Sequence, residues 1–179
     1  MGELDPYQWR RRPIALAGFM GVGKSSVGRL LAEVLDRPFF DTDSEVEATS
    51  GRTVESFFPQ EEAEFRRLEA ATVADLLGRG LSVIALGGGA LLDQGSRRRL
   101  LKASVLVHLH VPWAELRDQI PALVAARPLL RGKTLDEVHR LYLSRQAIYE
   151  EATLSVTVGR CGPAAAADEV LRALGVART

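Results

Sequence analysis

The sequence has very little cysteine and no long apolar stretch. Cys161 is the single cysteine in 179 residues, so the chain can form neither an internal disulfide nor a cysteine-cluster metal site. This pattern is typical of a reducing compartment, and we predict a cytoplasmic protein. No apolar run reaches the roughly 18–20 residues that span a bilayer, and residues 1–12 lack the apolar core of a signal peptide. We therefore expect no membrane association.

Net charge is also lacking, because 23 Lys and Arg residues balance 23 Asp and Glu residues. Without a long-range field to attract nucleic acid, the arginine triplets at 10–12 and 97–99 are interpreted as solvated clusters, and we predict no nucleic-acid partner. Only three basic residues are lysines, Lys24, Lys102 and Lys133, so a lysine within a motif is informative. The length and the 46% apolar composition predict one compact domain, which we expect to be a monomer.

Residues 1–12 are predicted to be a polar tail, and residues 13–179 a single α/β domain. Short apolar runs at 14–17, 38–40, 81–86, 104–111 and 153–158 predict strands, and helical patterns occupy 24–35, 61–77, 113–126, 134–149 and 164–174. Strands with continuous rather than alternating apolar residues are covered on both faces, and parallel strands need helical crossovers. The pattern predicts a three-layer sandwich around a five-stranded parallel sheet.

Residues 18–25, Gly-Phe-Met-Gly-Val-Gly-Lys-Ser, match the phosphate-loop pattern G-x-x-x-x-G-K-[ST] between a predicted strand and a predicted helix. The alternative is an ordinary glycine turn. In a phosphate loop, backbone N–H groups converge on phosphate oxygens, Lys24 reaches the outer phosphates and the Ser25 hydroxyl binds Mg²⁺. The motif predicts ATP and Mg²⁺ as ligands, held by Gly21, Val22, Gly23, Lys24, Ser25 and Ser26.

Asp41 and Asp43 follow the second predicted strand, and open α/β sheets place their ligands at the carboxyl ends of strands. Two carboxylates would then face the phosphate loop. The alternative is helix capping, either by a capping box from Thr42 to Glu45 or by Asp43 before Ser44. The phosphate loop favours the functional interpretation.

Three glycines, residues 87–89, follow the third predicted strand. They could serve only a tight turn, but glycines at the carboxyl end of a strand also let a ligand lie against backbone N–H groups. We favour ligand binding at this position.

Two arginines on predicted helices have similar alternatives. Arg66 lies between Glu62 and Glu69, which is also the spacing of a solvated charge ladder, and Arg145 could simply solvate a helix face. The connection at 127–133 differs because it is basic and contains Pro and Gly, as a mobile lid would, and we place a lid around residues 121–134.

His108 and His110 point to the same side of one predicted strand. Since the sequence offers no evident third ligand, packing within the sheet is favoured over metal binding.

Taken together, the motifs resemble shikimate kinases over residues 13 to about 174. Besides the phosphate loop, the resemblance rests on Asp41-Thr-Asp43 with Val46-Glu47, Gly51-Arg-Thr-Val with Phe57-Phe58, Glu62-x-x-Phe65-Arg66-x-x-Glu69, Gly87-Gly-Gly-Ala90, Arg127-Pro-Leu-Leu130 and Arg145-x-x-x-Tyr149. It implies a nucleoside-monophosphate-kinase-like fold with strand order 2-3-1-4-5. It further implies transfer of the ATP γ-phosphate to the 3-hydroxyl of shikimate.

The resemblance also implies roles for single residues. Asp43 would bind the ring hydroxyls, the Gly88 N–H would donate to shikimate, and Arg66 with Arg145 would surround the carboxylate. Asp41 would act near Mg²⁺ through water. From the lid, Arg127 would reach the ATP phosphates, and Arg160 would lie on the adenine side. Lys24, Asp43 and Arg127 are then the catalytic residues of an in-line transfer.

Two positions depart from the family pattern. Glu61 stands where the family usually has Gly, which predicts a different bend before the following helix. Pro121 interrupts the helical pattern ahead of Arg127 and removes a backbone hydrogen bond there.

Two other functions remain as alternatives. One is a kinase of the same fold with another small acceptor, such as gluconate. The other is a nucleotide-dependent binding module without turnover.

Overall fold

Five parallel strands form the centre of the part of the chain that the structure describes. The computed structural model describes residues 8–126, 130, 132–159 and 162–176. The strands are β1 (Ile14–Ala17), β2 (Phe39–Asp41), β3 (Val83–Ala85), β4 (Val105–His110) and β5 (Leu154–Thr157), in the order β2-β3-β1-β4-β5. Both the predicted parallel sheet and the implied strand order are confirmed.

Helices cover both faces of this sheet. They are α1 (Lys24–Leu35), α2 (Thr42–Ser50), α3 (Glu62–Gly78), α4 (Gln94–Ala103), α5 (Trp113–Leu116), α6 (Ile120–Ala126), α7 (Leu135–Tyr149) and α8 (Gly162–Ala173). Shorter 3-10 segments occupy Gln8–Arg11, Val54–Phe57 and Arg117–Gln119. Within the described ranges, no helix combines the length and the apolar character needed to cross a membrane.

The central strands are buried along their whole length. Every residue of β1 and β3 is buried, and so are Val105 to Leu109 of β4. A smaller apolar cluster of Val46, Phe57 and Phe65 joins α2 to α3. Because both faces of the sheet are covered, the continuous apolar runs seen in the sequence are what a parallel sheet requires.

Local signals explain several helix ends. The Thr134 hydroxyl accepts from Glu137 N–H while the Glu137 carboxylate accepts from Thr134 N–H, which is a capping box at the start of α7. Asp93 caps α4 by accepting from Ser96 N–H at 2.6 Å. Pro121 lies in the first turn of α6, where no intrahelical N–H bond is lost.

Four features differ from the sequence prediction. Helix α2 was considered only as part of a capping alternative and not as a predicted element. The predicted helix at 113–126 is divided into α5, a 3-10 turn and α6. Helix α4 was not predicted because its sequence, QGSRRRLLKA, is dominated by polar residues. Gln8–Arg11, assigned to the tail, forms a 3-10 turn that docks on the domain. Arg37 donates to the carbonyls of Trp9 and Arg12 at 2.8 and 3.0 Å.

The first prediction concerns the core. Leu106 of β4 is fully buried beside β1, so Leu106→Ala should lower the free energy of unfolding by about 2–5 kcal/mol, through lost apolar burial and the cavity left behind. Urea denaturation measures this loss. As a matched control, Leu143→Ala changes a leucine of α7 that is 54% exposed and should cost less than about 0.5 kcal/mol. Equal losses for both variants would contradict the assignment of the core.

Candidate active site

The carboxyl ends of β1, β2 and β3 open into one cavity of about 560 Å³. The residues around it come from three segments, which are the phosphate loop, the start of α2 and the glycine turn after β3. Val54 and Glu55 complete the lining. The lining residues are Met20, Gly21, Gly23, Lys24, Ser25, Ser26, Asp41, Asp43, Ser44, Glu47, Val54, Glu55, Leu86, Gly87 and Gly88. The structure thus brings together the phosphate loop, both aspartates and Gly88.

The phosphate loop wraps around the start of α1. Lys24 Nζ donates to the carbonyl oxygens of Gly18 and Phe19 at 3.0 and 3.2 Å, which holds the side chain along the loop. Helix α1 begins at Lys24, so its first N–H groups and the positive end of its dipole face the cavity opening. This arrangement binds anions, and phosphate groups in particular.

Ser25 and Asp41 are in direct contact across the cavity floor. The Ser25 hydroxyl donates to Asp41 Oδ2 at 2.5 Å. The other carboxylate oxygen, Oδ1, accepts from Asp43 N–H at 3.1 Å and caps α2. Both capping alternatives considered for this segment are therefore wrong, because the cap is Asp41 rather than Thr42 or Asp43.

The glycine turn is held by hydrogen bonds from three directions. Gly87 N–H donates to Thr42 Oγ1 at 2.7 Å, and Gly87 O accepts from Ala90 N–H at 3.2 Å. Gly88 O accepts from the Tyr149 hydroxyl at 3.4 Å. The turn is fixed by side chains of α2 and α7 as well as by its own backbone.

Two carboxylates approach Gly87 closely. A Cβ atom on Gly87 would lie 2.5 Å from Asp43 Oδ1 and 2.6 Å from Glu69 Oε1, so no larger residue fits. Glu69 is only 3% exposed. Burial raises the pKa of Glu69, and the negative charge of Asp43 raises it further, although the ion pair with Arg66 opposes this shift.

Arg66 lies between the buried Glu69 and the exposed Glu62. Its Nη1 donates to Glu69 at 2.8 Å, while Nη2 and Nε reach Glu62 at 3.1 and 3.3 Å. Burial lowers the pKa of Arg66, but these two ion pairs outweigh it and the net shift is upward. The charge ladder considered from the sequence is present, yet the guanidinium also lies against Gly89, where a Cβ atom would overlap it.

Arg145 on α7 differs from Arg66 in its partners. Within the described ranges its guanidinium makes no hydrogen bond or ion pair, although it is half-buried beside Tyr149, Arg66 and Glu69. Burial lowers the pKa of Arg145, and the neighbouring charge of Arg66 lowers it further. A half-buried cation beside a second cation is a site at which an anionic ligand would be stabilised.

Tyr149 and His108 stack beneath the glycine turn, with ring centroids 4.8 Å apart. His108 Nδ1 lies 3.2 Å from Ser155 Oγ, and its imidazole is 4% exposed. Desolvation lowers the pKa of His108 to about 4, with smaller effects from His110 and Lys24. Burial also raises the pKa of Tyr149 to about 12, so its hydroxyl stays protonated and can donate.

Two predicted site residues, Arg127 and Arg160, lie outside the described residues. The preceding part of the predicted lid is described, and α6 lies over the phosphate loop. A Cβ atom on Gly21 would be 2.5 Å from Leu123 Cδ1.

Glu61 stands where a glycine was expected. Its φ is −118°, so this position needs no glycine, and its carboxylate pairs with Arg52.

Three residues of the site had no role in the sequence analysis, namely Thr42, Glu69 and Tyr149. Glu69 and Tyr149 were part of the motifs quoted above, but their spacing does not reveal contacts with Arg66 or Gly88. Thr42 was considered only as a helix cap. Its position between two aspartates at the end of a strand was the available signal.

Comparisons with known proteins agree with this geometry. The family model for shikimate kinase matches residues 20–175. The shikimate kinase of Geobacillus thermodenitrificans (strain NG80-2) is 36% identical over 168 residues, covering 92% of this chain and 89% of that protein. The shikimate kinase of Thermobifida fusca (strain YX) is 40% identical over 169 residues, covering 93% and 97%. The structure of shikimate kinase from Acinetobacter baumannii in complex with shikimate has a TM-score of 0.84 and 33% identity, covering 91% and 92% of the two chains.

The second prediction uses the pKa of His108. Its pKa falls from 6.5 in the unfolded chain to about 4 in the folded one. Between these values the unfolded chain binds a proton that the folded chain does not, so stability falls as the pH is lowered. From pH 7 to pH 5 this residue should contribute a loss of about 2 kcal/mol.

Urea unfolding of the wild type and His108→Asn at both pH values checks the effect. Asn does not titrate, so the wild type should lose about 2 kcal/mol more than the variant between pH 7 and pH 5. Other titrating groups are common to both proteins and cancel in the comparison. A stability difference between the two proteins that is the same at pH 7 and pH 5 would contradict the assigned environment of His108.

Proposed function

This chain belongs to the shikimate kinase family, and we propose how its own residues carry out the phosphoryl transfer of that family. It is an ATP-dependent kinase that transfers the γ-phosphate to the 3-hydroxyl of shikimate. The observation that carries the assignment of residues is the convergence of the phosphate loop and the glycine turn on one cavity, with Arg66 against Gly89 and Arg145 near Arg66.

The phosphate loop is the proposed ATP site. The backbone N–H groups of Gly21, Val22, Gly23 and the first turn of α1, which includes Ser25 and Ser26, bind phosphate oxygens, and Lys24 reaches the outer phosphates. In the structure Lys24 Nζ is bonded to the carbonyls of Gly18 and Phe19, and phosphate oxygens would compete with these acceptors. A positive charge here stabilises the transferring phosphoryl group.

Mg²⁺ is proposed to lie near Ser25 and Asp41. Their side-chain oxygens are 2.5 Å apart at the phosphate loop, and hard oxygen donors of this kind suit Mg²⁺. Within the described ranges no group of three His, Cys, Asp or Glu side chains could hold a metal. Phosphate oxygens and water would therefore supply most ligands, as is usual for Mg²⁺ in kinases. The bound ion neutralises phosphate charge.

The acceptor site is proposed to lie between the glycine turn and Arg145. The shikimate carboxylate pairs with Arg145, which has no ion pair in the described part of the chain, and with Arg66, whose orientation is set by Glu69. The Gly88 N–H and the Asp43 carboxylate bind the ring hydroxyls. Asp43 lines the cavity together with the phosphate loop and lies close to Gly87, which supports a position between donor and acceptor.

In the proposed mechanism, positioning contributes more than base strength, because the transition state of phosphoryl transfer is loose. Asp43 orients the 3-hydroxyl in line with the γ-phosphate and accepts its proton as the new P–O bond forms and the bond between the γ-phosphorus and the departing ADP breaks. Holding both reactants in one cavity replaces a bimolecular encounter by an intramolecular step. Arg127 is proposed to add charge from a lid around residues 121–134, and Arg160 to lie near adenine.

The remaining features are proposed on sequence grounds. Residues 13–179 would form one P-loop kinase domain after a polar tail at 1–12, of which Gln8–Arg11 docks on the domain. We propose that it is a cytoplasmic monomer with no membrane or nucleic-acid partner.

A coupled ADP-release assay tests the function. ADP formation should require shikimate and should be absent with gluconate or with ATP alone. Gluconate-dependent turnover would indicate the other small-acceptor kinase, and nucleotide binding without turnover on any hydroxy acid would indicate a binding module.

The third prediction concerns the phosphate loop. Lys24→Met should reduce kcat by at least 100-fold, since one preorganised charge on the transition state is worth about this much, while circular dichroism stays unchanged. Lys102→Met, a change to an exposed lysine of α4, is the control and should keep normal turnover. Near-normal activity of Lys24→Met would contradict the ATP site.

The fourth prediction concerns the carboxylate. Each charge-assisted hydrogen bond is worth about 1.5–3 kcal/mol, so Arg145→Ala should weaken shikimate binding roughly 10- to 150-fold and leave ATP affinity unchanged. Arg140→Ala, an exposed arginine on the same helix, is the control. Isothermal titration calorimetry measures both.

Shikimate methyl ester provides a second comparison. The ester keeps the hydroxyls and loses the charge, so it should bind the wild type much more weakly than the acid but bind Arg145→Ala with a smaller difference. If wild-type enzyme binds acid and ester equally, the carboxylate site is wrong.

A further inference from the structure

Thr42 is a polar residue that is completely buried between two site aspartates. It is the first residue of α2, and its side chain turns toward the glycine turn rather than capping the helix. Its Oγ1 accepts the N–H of Gly87 at 2.7 Å, a contact between residues 45 positions apart in the chain. This short bond ties the end of β2 to the loop after β3.

The bond fixes the Leu86–Gly87 peptide, and the Gly88 N–H belongs to the next peptide, Gly87–Gly88, whose direction matters for the acceptor. In a trans peptide, the C=O of one residue and the N–H of the next point in opposite directions. Gly87 O is directed into the turn, where it accepts from Ala90 N–H at 3.2 Å. The N–H of Gly88 is therefore directed away from the turn, and Gly88 lines the cavity.

Three successive glycines would not hold the Gly88 N–H in this direction without other contacts. Glycine has access to more backbone conformations than any other residue, so the turn has many competing arrangements. The Thr42 hydroxyl stabilises one of them by pairing the Gly87 N–H, while the Tyr149 hydroxyl supports the far side at Gly88 O. Without the hydroxyl, the Gly87 N–H would lose its partner, and the turn would rotate to recover one.

From this geometry we propose that Thr42 is a positioning residue for the acceptor. Its hydroxyl directs the Gly88 N–H toward shikimate without touching shikimate itself. The inference rests on the proposed function, because Gly88 is the proposed donor to a ring hydroxyl. Asp43, the next residue along the chain, lies against the same turn. The Thr42 hydroxyl therefore also helps to set the distance between the Asp43 carboxylate and the Gly88 N–H, the two groups proposed to bind the ring hydroxyls.

The test compares Thr42→Val with Thr42→Ser. Val has the shape of Thr without the hydroxyl, and Ser keeps the hydroxyl and loses only the methyl group. Thr42→Val should weaken shikimate binding about 5- to 100-fold in calorimetry without nucleotide, the factor expected for an unpaired buried N–H. Thr42→Ser should stay within about threefold of the wild type, and the KM for ATP should be the same in all three proteins.

Amide exchange measured by NMR is the independent readout. The Gly87 N–H should be protected in the wild type and in Thr42→Ser, and should exchange faster in Thr42→Val. Should Thr42→Val fail to fold, Thr42→Ala removes the hydroxyl without adding bulk and should show the same two effects. A purely structural role would weaken ATP and shikimate binding by similar factors.

The outcomes separate this inference from the proposed function. If the wild type does not bind shikimate, the proposed function fails and the inference fails with it. If the wild type binds shikimate and the hydroxyl-free variant binds it equally well, the inference alone is overturned. It is also overturned if Ser weakens binding as much as Val, or if ATP affinity falls by the same factor.

Discussion

Parallel alignment of β2, β3 and β1 is the constraint on which the site depends. In the order β2-β3-β1 the three strands are neighbours, and their carboxyl ends meet at one edge of the sheet. The phosphate loop follows β1, the two aspartates follow β2, and the glycine turn follows β3. The strand order therefore brings the phosphate loop, the aspartates and the glycine turn together. The glycine turn follows β3, the middle strand, and lies between the segments that follow β1 and β2.

Charge around that turn is arranged in two layers. Asp43, Glu69 and Arg66 crowd Gly87 and Gly89, and the half-buried Arg145 lies near Arg66 and Glu69. Burial of an incompletely paired cation is costly, and a bound carboxylate would relieve that cost. The ion pair with Glu69 restricts Arg66, so in the proposed acceptor site less side-chain entropy would be lost when the carboxylate binds.

Much of the fold and the phosphate loop could be predicted from the sequence, because the strongest sequence signals are local. The continuous apolar strands and the phosphate loop depend on neighbouring residues, and residues 14–17 and 24–35 were bounded correctly. The contacts of Thr42 with Gly87 and of Tyr149 with Gly88 join residues 45 and 61 positions apart, and no pattern along the chain reveals them. The cap at Asp41 was missed for a related reason, since one carboxylate both caps α2 and accepts from Ser25. Helix α4 was missed because few of its residues are apolar.

The position of the transferred phosphate tests the account most directly. In the proposed placement Arg145 and Arg66 hold the carboxylate, Asp43 is close to the phosphate loop, and the 3-hydroxyl of shikimate lies in line with the γ-phosphate. Phosphorus–proton correlation NMR of the product should show the phosphate coupled to the proton on carbon 3 and to no other ring proton. Phosphate on another hydroxyl, or release of inorganic phosphate alone, would contradict the proposed placement of the substrate.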